Sequence, residues 1–134
     1  MHDPASESDR WMEQAADDVE FAGHALAGGY NHQACFVCQQ ASEKALKALL
    51  YRDGARTVLG HSLISLLDRI VAAHPSLERL RSPAAVLDLY YVPTRYPNGL
   101  VEGTPRRAFT RQQAEEAIRH AGDILDAVRA EIAR

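Results

Sequence analysis

The stretch "NHQACFVCQQASEKALKALLYR", Asn31 to Arg52, decides how this chain folds. Ala34, Cys35, Phe36, Cys38, Ala41, Ala45, Leu46, Leu49 and Leu50 recur at helical spacing and cover most of a helix's circumference. Gln40, Glu43, Lys44 and Lys47 gather on one narrow face. A helix apolar nearly all round needs neighbours on nearly all sides, so this one is expected at the centre of a bundle. Asn31 is read as its N-cap and Asp53-Gly54 as its end.

The neighbours follow on either side. Trp11, Ala15, Val19, Ala22 and Leu26 form one stripe of a helix expected from Ser8 to Ala27, with Gly28-Gly29 closing it. Residues 1–7 read as a disordered lead-in. Ser62 caps a helix carrying Leu63, Leu66, Leu67 and Ile70. Ser82-Pro83 signals another, with Val86, Leu87 and Tyr90 inward and Pro93 as its stop. Thr110 and Gln113 form a capping box for the last helix, whose stripe is Ala114, Ile118, Ala121, Leu125, Val128 and Ile132. No alternating strand pattern persists anywhere. The expectation is an all-α chain: an antiparallel up-and-down four-helix bundle with an additional short helix.

With 134 residues the chain fits one domain, 1–134. A formal net charge of −3 excludes a bulk basic footprint for duplex nucleic acid, though not a local positive patch. The polar, acidic start has no apolar signal-peptide core, and no run is long enough to span a membrane. A cytoplasmic location is the expectation. Cys35-x-x-Cys38 lies inside a helical pattern without a second ligand pair, so it reads as two buried thiols. His2, His24, His32, His74 and His120 show no metal-ligand spacing, and no metal or cofactor is implied. The acidic pairs Asp17-Asp18 and Glu115-Glu116 read as solvated helix faces.

One stretch interrupts the helices. "YYVPTRYPN", Tyr90 to Asn98, packs three tyrosines, two prolines and Arg95 into nine residues. The prolines stiffen a corner that presents Thr94, Arg95 and Tyr96.

In order along the chain, "ACFVCQQASEKALKALL", "GHSLISLL", "LDLYYVPTRYPNG" and "FTRQQAEEAIRHAGDILDAV" resemble the HEPN domain family over nearly the whole sequence. The resemblance implies a helical bundle, commonly a homodimer, often encoded beside a minimal nucleotidyltransferase protein in a toxin–antitoxin-like pair. It also implies binding of nucleotide or RNA and, in many branches, metal-independent RNA cleavage by an arginine followed four to six residues later by a histidine. A histidine suits proton transfer near neutral pH, and an arginine suits the phosphate charge.

Arg95 occupies the arginine position that the resemblance implies, but "RYPNGLVEGTPRR" supplies no histidine after it. Arg56 to His61 and Arg69 to His74 match the spacing elsewhere, and about two such matches arise by chance in a chain of this composition. Three functions therefore stand as expectations. In the first, Arg95 grips a nucleotide or RNA phosphate, with Tyr91, Thr94, Tyr96 and Lys44 contributing to binding. In the second, the chain is an endoribonuclease in which His61 reaches Arg95 from another helix. In the third, it is a dimeric adaptor without a ligand. Gln40, Glu43 and Lys47 are expected to line a cleft or a subunit interface. Arg95 also has a structural alternative, pairing with Asp88 or with a carbonyl at a helix end.

Overall fold

The computed structural model describes residues 3–134. Three long helices, α1 (Pro4–Ala27), α2 (Asn31–Arg52) and α6 (Arg111–Ile132), carry two short ones, α3 (Leu63–Ile70) and α4 (Arg81–Asp88), and a single turn, α5 (Pro105–Ala108). No strand occurs among the described residues. The all-helical expectation holds. The third and fourth helices are shorter than their apolar patterns suggest, eight residues each.

α2 is central, as its apolar circumference predicts: it packs against α1, α6, α3 and α4. Alanines make the close approach possible. Ala15, Ala22 and Ala25 of α1, Ala34, Ala41, Ala45 and Ala48 of α2, and Ala114, Ala117 and Ala121 of α6 are all buried. Small side chains at a crossing bring helix axes together. Leu46, Leu49, Leu63, Leu66, Leu67 and Leu87 then fill the core, each contributing about 1.5–3 kcal/mol by leaving water.

The helix ends show where sequence rules hold and where packing overrides them. Tyr30 N–H bonds to Ala25 O and Gly29 N–H to Leu26 O, with Gly29 at φ 82°, a reversal that folds α1 back along α2. The Ser62 cap and the Thr110–Gln113 capping box both form.

Three expected boundaries are corrected. α1 begins at Pro4, where a missing amide hydrogen costs nothing, so residues 4–7 are helical rather than a disordered lead-in. Met1 and His2 lie outside the described residues. Asn31 is the first residue of α2 rather than its cap, and its side chain instead donates to Phe109 O. Ser82 does not cap α4, because the 3₁₀ turn Pro75–Leu80 runs straight into it. No described helix is long and apolar enough to cross a membrane.

Candidate functional site

α4 stops at Asp88, two residues before Tyr90, and the chain closes through i→i+3 bonds from Leu89 N–H to Val86 O and Tyr90 N–H to Leu87 O. Tyr90 is buried, meeting Phe109 edge to face at 5.8 Å. Thr94 is also buried, and its hydroxyl donates to Tyr90 O. Thr94 therefore closes the corner instead of facing a ligand, a correction to the expected role: its short side chain satisfies a carbonyl that the prolines leave unpaired.

Arg95 remains on the outer side. Its Nε donates at 2.8 Å to Tyr91 O, a carbonyl of the turn beyond α4 rather than Asp88 or a helix-end carbonyl. Its guanidinium lies 4.4 Å from the ring centre of Phe36, 4.6 Å from Tyr91 and 5.1 Å from Tyr96. Among the described residues, neither Nη group has a protein partner. A guanidinium beside three aromatic rings, with its Nη groups free, has the donors that an anion could take.

His61 comes to the same place. The "GHSL" and "YYVP" segments pack together, and the imidazole stacks on Tyr91 with centroids 5.0 Å apart. Gln39, buried in α2, donates to His61 O at 2.7 Å. Asp88 accepts from Leu63 N–H at 2.9 Å, Ile64 N–H at 3.2 Å and the Ser62 hydroxyl at 3.1 Å. These bonds hold the start of α3 against the end of α4. A cavity of about 450 Å³ opens beside His61, lined also by Ser62, Asp88, Tyr91 and Pro93.

The polar stripe of α2 divides differently from expectation. Glu43 and Lys47 are buried, so they offer no charge to a partner's surface. Glu43 instead bridges inward, with Oε1 3.0 Å from His61 Nδ1 and Oε2 accepting from Lys47 at 3.1 Å. Lys47 also sits 5.8 Å from the ring centre of Trp11. Gln40 donates to Gln39 Oε1 at 2.8 Å. Lys44 is not brought to Arg95: it pairs with Asp18 of α1 and lines a separate cavity with Glu7, Trp11 and Asp17. Phe36 and Gln39 were not singled out in the sequence as site residues. Their only signal is a helical register shared with Gln40 and Glu43.

Two other features named in the sequence lie apart. Burial pushes the Cys35 thiol up to about 12 and raises Cys38 further, as inert packing thiols require. His74 binds Glu131 through Nδ1 and Asp53 through Nε2, tying α6 to the end of α2.

The chain matches the family model for the HEPN domain over residues 8–131. No curated protein matches it significantly. Among solved structures, TT1696 from Thermus thermophilus is 40% identical with a TM-score of 0.88, covering 92% of this chain and 97% of that one. ST0689, described as an archaeal HEPN homologue, is 37% identical with a TM-score of 0.79, covering 94% and 98%. An HEPN domain protein from Thermotoga maritima, TM0613, is 33% identical with a TM-score of 0.74, covering 93% and 98%. Since the match spans all the long helices and both segments that meet at Tyr91, this chain belongs to the HEPN family.

Proposed function

We propose that this HEPN protein is a helical module that binds the phosphate of a nucleotide or RNA at Arg95, acting as a homodimer with a minimal nucleotidyltransferase partner. The observation that carries this reading is the guanidinium stacked among Phe36, Tyr91 and Tyr96 with both Nη groups uncommitted. Phosphate takes two parallel donors from such a fork, and a base can stack on the half-exposed Tyr96. Leu59, Leu89 and Val92 are exposed near His61 and Tyr91, which supports a subunit or partner contact there.

Titration of isotope-labelled protein with 5′-AMP, ATP and short RNA tests the ligand. Shifts should centre on Arg95, Tyr91, Tyr96 and His61, and Arg95→Ala should weaken binding at least about tenfold. Unmoved spectra with all three ligands overturn the reading. Light scattering tests the dimer, and co-purification with a co-expressed minimal nucleotidyltransferase tests the partner.

Because His61 and Arg95 each contact the ring of Tyr91, a second reading is a metal-independent endoribonuclease. The 2′-oxygen would displace the 5′-oxygen from phosphorus, His61 accepting the 2′ proton, Arg95 stabilising the phosphorane charge and water protonating the leaving oxygen. Cleavage in the presence of chelator should leave a 2′,3′-cyclic phosphate, and Arg95→Ala and His61→Ala should each abolish it. Intact RNA after prolonged incubation with concentrated protein rejects this chemistry.

A further inference from the structure

Glu43 and Lys47 have side chains only 7% exposed, whereas the His61 side chain beside them is 59% exposed. A buried ion pair gains little over apolar residues of the same volume, because desolvation consumes most of the attraction. Packing alone therefore gives no reason for these charges. The geometry gives one. Lys47 occupies only Oε2 of the carboxylate, and Oε1 is directed to His61 Nδ1 at 3.0 Å.

We infer that Glu43, its charge balanced by Lys47, is a positioning residue that holds His61 as the Nδ1–H tautomer with Nε2 turned to the cavity beside Tyr91. A carboxylate only accepts, so Nδ1 carries the proton when the ring is neutral. An unconstrained histidine side chain prefers the opposite tautomer, and the hydrogen bond at one ring nitrogen decides the state of the other. The ring is also fixed from two further directions, by Gln39 bonding the His61 carbonyl and by the face of Tyr91. Nε2 has no protein partner among the described residues, which leaves its lone pair for a donor arriving in the cavity. The value of this lone pair to a ligand's ribose hydroxyl, which can donate to it, rests on the function proposed above; the tautomer does not.

The test is the pair of ring-nitrogen shifts of His61 in long-range proton–nitrogen spectra, recorded where the imidazole is neutral. The wild-type protein should show a protonated Nδ1 and a bare Nε2. In Glu43→Gln, the amide oxygen turns to Lys47 and its NH₂ faces Nδ1, so the pattern should invert. A bare Nδ1 in the wild type, or the same tautomer in both proteins, overturns the inference. The wild-type spectrum decides it even if Glu43→Gln fails to fold. Added 5′-AMP, through a ribose hydroxyl donating to the bare Nε2, should move that nitrogen in the wild type and lose this effect in the variant, whose Nε2 carries a proton. If 5′-AMP, ATP and short RNA all leave the wild-type spectra unmoved, the phosphate-site reading falls, while the tautomer pattern still decides the role of Glu43.

Discussion

The imidazole of His61 lies against the ring of Tyr91, with planes 21° apart, while Arg95 rests on that same ring and binds the Tyr91 carbonyl. One tyrosine thus seats two residues that reach it from different segments. Removing the ring in Tyr91→Leu should cost about 1–2 kcal/mol from the lost stacking and cation–π contacts. It should also weaken 5′-AMP binding severalfold. Tyr91→Phe should preserve both properties, since the contacts are to the ring. Denaturant unfolding and ligand titration of the two variants provide the comparison.

Asp88 caps α3 from the end of another helix, accepting two backbone N–H groups and the Ser62 hydroxyl. Asp88→Ala leaves these donors without their charged acceptor and should destabilise the fold by about 1.5–3 kcal/mol. Asp88→Asn, which keeps one acceptor oxygen, should lose less. Amide exchange at Leu63 and Ile64 should accelerate in the alanine variant, and unchanged protection there would exclude the cap.

Gly99 lies where the corner folds back on itself. A Cβ at this position would sit 2.9 Å from Pro93 Cα, closer than two carbons can approach without the backbone moving. Gly99→Ala should therefore cost about 1–3 kcal/mol, the range for overpacking a tight contact. Because Arg95 stands between the two contacting residues, its amide and guanidinium resonances should move with the loop. Wild-type spectra and stability in this variant would contradict the argument.

His74 supplies a pH dependence away from the candidate site. Burial pulls its pKa down, but bonds and charges from Glu131 and Asp53 more than offset this and raise it above the ordinary 6.5. That contribution is complete below 6.5 and is lost as pH rises through the raised folded value. Glu131, bonded by His74 and Arg134, is held below its ordinary 4.5, so its contribution is complete above 4.5 and fades as pH falls. The clamp should be strongest between the two ordinary values. His74→Ala should lower Tm most in that window, with the difference from wild type shrinking toward alkaline pH. A difference that is constant across pH would rule out the linkage.

Much of this fold was legible in order along the chain. The apolar circumference of α2, the stripe from Ala114 to Ile132 and the caps at Ser62 and Thr110 are local patterns, and local patterns suffice to place helices. Boundaries that depend on neighbours were less legible. Asn31 is drawn away from capping by Phe109, and α4 ends early because its last turns are committed to the corner around Tyr90 and Thr94.

The candidate site divides along the same line. Residue type and context single out Arg95 and His61 as candidates, but they equally suggest Thr94 and Lys44, because exposure cannot be read from residue type. Only the packed structure turns Thr94 inward, commits Lys44 to Asp18 and buries Glu43 and Lys47 beneath His61. The sequence by itself determined the helices, their inward faces and the family, since these follow from periodicity and motif order. Tertiary structure alone decided that His61 and Arg95 share the ring of Tyr91. Contacts between distant segments depend on how helix faces pack in three dimensions, which no one-dimensional spacing encodes.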